Sequence, residues 1–155
     1  MRIFGHLIHP MLVHFPLAFW TLGTVFDVAA YAGWPALWQP AGILIMLGLA
    51  IGLLAAIVGA VDYALMAPDE KARAAAEIHM MLMVGAWMVY LMAYVLRLEG
   101  AALSAEAGLL PVSLSVAGFL IMAVGGRYGG KLVYHHGVGV AKRGDPAANA
   151  KKDAA

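Results

Sequence analysis

Residues 41–66 read AGILIMLGLAIGLLAAIVGAVDYALM, an apolar run in which Asp62 is the one charged side chain. A helix needs roughly 20 apolar residues to cross the hydrocarbon core of a bilayer, and this run is long enough to do so. It therefore predicts a membrane-spanning helix. The composition agrees, since 63% of the residues are hydrophobic and only 12% are charged, whereas about a quarter of the residues of a soluble domain are charged.

Three further apolar runs flank this one, and each predicts a helix of the same kind. The four predicted spans are about Met11–Ala32, Ala41–Met66, Ala76–Leu98 and Leu109–Gly126. We therefore expect an all-α fold, a four-helix transmembrane bundle that forms a single domain over residues 1–140. Residues 141–155 are small, polar and charged, which predicts a disordered tail.

Lysine and arginine residues are distributed unevenly between the two ends of the predicted bundle. With four spans, both termini and the loop between the second and third spans lie on one side. Cytoplasmic ends carry an excess of positive residues, so we expect both termini to be cytoplasmic. The opposite side carries only Arg97. The basic residues of the cytoplasmic side are Arg2, Lys71, Arg73, Arg127, Lys131, Lys142, Arg143, Lys151 and Lys152.

Small and polar residues inside the second span indicate where it packs. Gly48, Gly52, Ala55, Gly59 and Asp62 follow one another at steps of three or four, so they form one stripe on the helix. Small residues let transmembrane helices approach closely. The stripe therefore places Asp62 on the packed face.

Two charges in other spans are expected to form a buried ion pair. Asp27 comes late in the first span and Arg97 ends the third, so both lie near the end of the bundle opposite the cytoplasmic side. Ionisable residues within spans face the bundle interior and pair with one another. We therefore predict a structural pair between Asp27 and Arg97.

All six histidines fall at the end of the bundle that is predicted to be cytoplasmic. His9 and His14 belong to HPMLVHFP at the start of the first span, and their spacing of five does not suit one helical face. Pro16 can begin or kink a helix. Residues 5–16 therefore need not form regular helix, and a re-entrant course would aim both imidazoles at one point.

Four motifs in combination resemble domain of unknown function family 2231, which contains small four-helix bacterial membrane proteins. The motifs are HPMLVHFPLAFW, GAVDY at the end of the second span, His79 in the third, and GGKLVYHHGVGV. The resemblance covers about residues 5–140 and implies a multi-pass protein of the bacterial inner membrane. The family has no settled function, but some relatives carry a fused Rieske-type iron–sulfur domain, which implies a redox setting by association. The positions that carry the family pattern are His6, His9, Pro10, His14, Pro16, Asp62, His79, Tyr134, His136 and Gly137.

Histidines that converge from separate helices in an apolar pocket are typical of sites for haem b. We expect His14 and His79 to be the axial ligands, because they lie on different helices at similar depth, with His136 or His9 in reserve. Gly59 would make room for the porphyrin ring. A protein with this site would transfer electrons to or from a redox partner.

Two other interpretations stay open. The first is a zinc, copper or iron ion bound directly by side chains, since histidine and aspartate suit these metals. The second belongs to a different class, a cofactor-free membrane protein that transports protons or a small solute or acts as a scaffold, because buried His and Asp also mark ion pathways. The residues that could ligate the ion are His9, His14, Asp62, His79 and His136.

Several classes of site are excluded or unsupported. The chain has no cysteine, which excludes disulfides, thiolate-ligated clusters and covalently attached haem. The sequence shows no phosphate-binding glycine loop, H-E-x-x-H or serine nucleophile motif, so enzymatic activity is left open. The basic residues lie beside the spans, and nucleic acid is not an expected partner. The expected partners are the lipid bilayer, a redox protein and further copies of the chain.

Overall fold

A computed structural model describes residues 2–3, 6–65 and 70–140, with side chains described over 8–65 and 70–140. The described part contains four long helices, each long and apolar enough to cross a membrane. The predicted all-α four-helix fold is therefore confirmed. The tail predicted to be disordered, residues 141–155, lies outside the described residues. The helices are α1 (Ile8–Tyr31), α2 (Trp38–Ala64), α3 (Glu70–Val95) and α4 (Leu109–Tyr134).

Short segments precede and join the helices. Strands β1 (Arg2–Ile3) and β2 (His6–Leu7) form an antiparallel ribbon before α1. A single 3₁₀ turn, Pro35–Leu37, links α1 to α2. Strands β3 (Leu98–Glu99) and β4 (Ala102–Leu103) form a second antiparallel ribbon between α3 and α4. These connections are short enough to make successive helices antiparallel neighbours.

Two helices extend beyond the predicted spans. Helix α3 begins at Glu70 rather than Ala76, because the stretch EKARAA consists of strong helix formers. Helix α4 continues to Tyr134 rather than ending at Gly126, although its last turns are rich in glycine. Those turns remain helical where Gly125 and Gly129 pack directly against side chains of α3, so tertiary contact overrides the low helix propensity of glycine.

Helix α1 is regular from Ile8 onward and includes both Pro10 and Pro16. The re-entrant course predicted for residues 5–16 is therefore wrong from Ile8 onward. Pro10 lies in the first turn, where the backbone N–H has no partner within a helix in any case. Since α1 is helical here, His9 and His14 point in directions about 140° apart.

Glycines on α2 and α4 allow the close approach of aromatic side chains. The Trp20 ring lies against Gly48 and the Tyr90 ring against Gly118, and a Cβ atom at either glycine would come within 3.0 Å of the ring. Gly52 also contacts Trp20. The stripe of small residues predicted on α2 is therefore a packing surface for α1.

The two helical hairpins, α1–α2 and α3–α4, meet where α1 packs against α4 and α2 packs against α3, and side chains of α1 and α3 reach each other across the bundle axis. Trp20 stacks on Tyr90, with ring centroids 4.7 Å apart and an interplanar angle of 14°. The Tyr90 hydroxyl lies 2.8 Å from Oγ1 of Thr24 and donates to the carbonyl oxygen of Trp20 at 3.3 Å. This aromatic layer forms the centre of the core.

Asp27 and Arg97 form the ion pair that the sequence indicates, and we call this end of the molecule the ion-pair end. Nη1 of Arg97 donates to Oδ1 at 3.0 Å and Nη2 donates to Oδ2 at 2.7 Å, and both side chains are fully buried. The hydroxyl of Ser115 donates to Oδ2 at 2.6 Å. The guanidinium also lies over the Trp38 ring, 4.3 Å from its centroid. Four elements of the fold therefore converge on one carboxylate and one guanidinium.

Replacing Asp27 with Ala is expected to destabilise the protein by about 3–5 kcal/mol, because it leaves the buried Arg97 charge without a partner. The double substitution Asp27→Leu with Arg97→Met removes both charges and should recover most of that loss. The measurement is reversible unfolding in detergent, followed by circular dichroism. Glu99→Gln is the matched control, because Glu99 is an exposed carboxylate in β3. This substitution should change the stability little. Equal stability of Asp27→Ala and wild type would contradict the structural role of the pair.

Candidate histidine site

The end of the bundle opposite the ion pair, here called the histidine end, combines the starts of α1 and α3 with the ends of α2 and α4. His9 in α1 and His79 in α3 are both half-buried there. His136, just after α4, is also half-buried, while His14 and His135 are exposed. The predicted clustering of these five histidines at one end is therefore seen in the structure, but they differ in what they face.

The His9 imidazole is hydrogen bonded to the backbone of α2. Its Nδ1–H donates to the carbonyl oxygen of Ala55 at 2.9 Å. The imidazole also lies on Gly59, where an added Cβ atom would be 2.8 Å from Cε1 of the ring. Gly59 therefore makes room for the His9 imidazole, and the space beside it that was predicted for a porphyrin is already filled.

His79 is held against α4 in the same way. Its Nδ1–H donates to the carbonyl oxygen of Gly125 at 2.8 Å. Its ring lies on Gly129, where an added Cβ atom would be 3.0 Å from Cε1. The carbonyl can only accept a hydrogen bond, so both imidazoles carry a proton on Nδ1 and have Nε2 as the second ring nitrogen.

The two arrangements are equivalent in the chain as well as in geometry. Each histidine bonds to a carbonyl 46 residues further along. Trp20 and Tyr90, like Asp27 and Arg97, are 70 residues apart, which is also the separation of the two histidines. The two hairpins thus place a histidine, an aromatic ring and a charge at matching positions.

The inward direction of His9 follows from helical geometry. His9, Trp20 and Asp27 are separated by eleven and seven residues, which are close to whole numbers of turns. They therefore lie on one face of α1, the face that meets α3 at Trp20 and Asp27. His79 lies on the corresponding face of α3, eleven residues before Tyr90.

His14 occupies the outer surface of α1, where its side chain is exposed. The pairing of His14 with His79, which was predicted from similar depth along the helices, did not take the rotation of α1 into account. The structure favours His9 over His14 as the α1 histidine that faces the bundle axis.

Asp62 and His136 complete the set of predicted site residues. Asp62 is half-buried in the last turn of α2, and His136 lines a cleft between α3 and α4. Within residues 8–65 and 70–140, no three His, Asp or Glu side chains are arranged so that they could hold one metal ion. The five-residue ion site considered above is therefore not assembled in the described part of the chain.

A signal in the sequence could have identified the pair of inward histidines. The segments IHPML at residues 8–12 and IHMML at residues 78–82 share four of five residues. This repeat aligns His9 with His79 and leaves His14 opposite Val84. Attention to the repeat, rather than to depth alone, would have selected His9.

Comparison with known proteins agrees with this architecture. A family model described as "Predicted membrane protein (DUF2231)" matches residues 5–142, a range that includes all four helices. No curated protein and no solved structure matches the chain.

Adding a methyl group under either imidazole should disturb the histidine end. Gly59→Ala and Gly129→Ala each force the ring to move, and we expect a loss of about 1–3 kcal/mol in the free energy of unfolding. Gly126→Ala is the matched control, because nothing lies within 4 Å of its added Cβ atom, and it should be neutral or stabilising by up to about 1 kcal/mol. Thermal unfolding in detergent compares the three. If all three variants behaved alike, the contacts of His9 and His79 with the glycines would not matter.

Proposed function

The chain belongs to the DUF2231 family of predicted membrane proteins, and we propose that it binds haem b through His9 and His79 at the histidine end. The proposal replaces His14 by His9 and keeps His79 from the pair expected from sequence. It makes the protein a small electron-transfer component of the bacterial inner membrane that works with a redox partner.

The observation that carries the proposal is the hydrogen bonding of the two imidazoles. Nδ1–H of each ring donates to a backbone carbonyl of the neighbouring helix, at 2.9 Å for His9 and 2.8 Å for His79. Histidines that bind metals almost always donate their other ring N–H in this manner, which sets the tautomer and the ring orientation. Nε2 of each ring is then the nitrogen that would bind iron.

The number of side chains that could act as ligands favours haem over a metal ion bound directly by the protein. A porphyrin supplies four of the nitrogens around its iron, so the protein needs to supply only one or two side chains. Structural and catalytic zinc sites need three or four protein ligands. Two facing histidines, with no third His, Asp or Glu grouped with them in the described residues, fit the first requirement and not the second.

The contacts that join the two hairpins also favour the histidine end as the location of the haem site. Two hydrogen bonds connect α1 to α4 toward the ion-pair end: Thr24 donates to the carbonyl oxygen of Ser115, and the Ser115 hydroxyl donates to Asp27. The stack of Trp20 on Tyr90 lies between those bonds and the histidines. A planar ligand between the hairpins would therefore disturb least at the histidine end, while the ion-pair end keeps the bundle together.

The Asp27–Arg97 ion pair offers little support for a proton or solute pathway. Both carboxylate oxygens of Asp27 accept hydrogen bonds from Arg97 or Ser115. A carboxylate that is fully bonded and fully buried serves as a structural partner rather than as a relay that exchanges protons. If the spectrum described next shows no haem and the protein holds no metal, transport or scaffolding without a cofactor is the remaining interpretation.

The protein purified in mild detergent should show a Soret band that shifts on reduction with dithionite. His9→Ala and His79→Ala remove an axial ligand and should abolish or strongly alter that band. His14→Ala and His135→Ala, which change exposed histidines at the same end, are the matched controls and should retain it. Circular dichroism shows whether each variant remains helical.

Three outcomes would contradict the proposal. A colourless protein with a stoichiometric metal would favour an ion site, and a colourless protein without metal would favour the cofactor-free alternative. Loss of the band in His14→Ala but not in His9→Ala would restore the original ligand pair.

The same proposal places the histidine end at the cytoplasmic face, because Lys71, Arg73, Arg127 and Lys131 all lie there and positive residues concentrate on that side. The chain has no cysteine, so introduced cysteines report their own exposure. Val140→Cys should resist a membrane-impermeant maleimide in intact cells, whereas Ala101→Cys should react. The reverse pattern of labelling would overturn the orientation.

A further inference from the structure

A cleft of about 470 Å³ opens between the first turns of α3 and the last turns of α4. We call it the lysine cleft, because Lys71 lines it from α3 and Lys131 lines it from α4. His135, His136 and Tyr128 also line it. It lies at the histidine end, but His9 and His79 do not line it, so it is distinct from the site proposed above.

The lysine cleft is polar at one end and apolar at the other. Lys71 begins the stripe of α3 residues that lines it, and Ile78 ends that stripe two turns further toward the middle of the membrane. Two alanines between them form a flat floor. On α4 the order is matched, since Tyr128 lies nearer the middle of the helix than Lys131. The cleft thus matches an amphiphile that lies along the bundle, with its polar headgroup near the lysines and its apolar part toward the middle of the membrane.

His136 adds a second observation that points to a ligand. Its Nε2 atom is buried and has no hydrogen-bond partner among the described residues. A buried polar nitrogen without a partner costs free energy, and this ring lines the cleft. Its backbone is held at the end of α4, because the N–H of His136 donates to the carbonyl oxygen of Lys131 at 3.2 Å. Gly137, which follows, has a φ of +61°, a conformation that favours glycine.

We propose that the lysine cleft binds the phosphate-bearing headgroup of an anionic membrane phospholipid. The ammonium groups of Lys71 and Lys131 supply charge-assisted hydrogen bonds to phosphate oxygens, and lysines near a membrane surface attract anionic lipids. His136 lines the same cleft next to Lys131 and His135. Ile78 and the alanine floor accommodate the start of an acyl chain, which a free phosphate ion lacks. The proposal goes beyond haem binding and does not depend on it.

The test measures how many lipids the full-length protein retains in detergent, by native mass spectrometry after addition of phosphatidylglycerol or phosphatidylcholine. Wild type should retain one phosphatidylglycerol in preference to phosphatidylcholine. The double variant Lys71→Gln with Lys131→Gln should bind phosphatidylglycerol at least about tenfold more weakly, because two positive groups near the headgroup are lost. Arg127→Gln is the matched control, since it removes an exposed cation of the same helix that does not line the cleft.

A competition arm distinguishes a lipid headgroup from free phosphate. If millimolar inorganic phosphate displaces the retained lipid from wild type and from Arg127→Gln alike, the cleft recognises phosphate without an acyl chain and the lipid proposal falls. Retention of the lipid by both proteins supports a site that recognises the lipid and not its phosphate alone. Equal retention of the two lipids, or equal weakening by Arg127→Gln and by the double variant, would overturn the site. The thermal stability of each variant shows whether a loss of lipid reflects unfolding instead.

Discussion

The ion pair between Asp27 and Arg97 constrains the whole bundle. An ionised side chain in the interior of a membrane protein is expensive unless a partner lies beside it. The pair forms only when α1 and α3 lie at the same level and turn the same faces inward, since both groups are fully buried and joined by two hydrogen bonds at 3.0 and 2.7 Å. Ser115 and Trp38 then add contacts from α4 and α2.

That alignment determines what happens at the next two levels of the bundle. With α1 and α3 in register, Trp20 reaches Tyr90 and stacks on it. Further along the same faces, the register brings His9 and His79 to the same end, each with Nδ1–H bonded to its neighbouring helix. The bundle is therefore layered, with a charged pair, an aromatic pair and an imidazole pair. The first two layers join the hairpins, and in the third each imidazole is bonded to the backbone of its own hairpin.

Much of this could be predicted from sequence, but the identity of the α1 histidine could not be obtained from depth alone. The four spans followed from apolar length, and the Asp27–Arg97 pair followed from two charges at one level. The expectation for His14 rests on depth and does not include rotation, because HPMLVHFP contains two prolines, which leave open where regular helix begins. Once α1 is helical from Ile8, the direction of each imidazole is settled by its position in the turn.

Sequence alone is enough to predict a four-span membrane bundle with small residues on α2 and an interior ion pair, because apolar length, periodicity and charge are properties of single segments. The structure adds that Gly59 and Gly129 accommodate imidazoles and that α3 and α4 leave a cleft lined by their lysines. Those features depend on the register between helices far apart in the chain, and that register is set by contacts across the bundle rather than by any one segment.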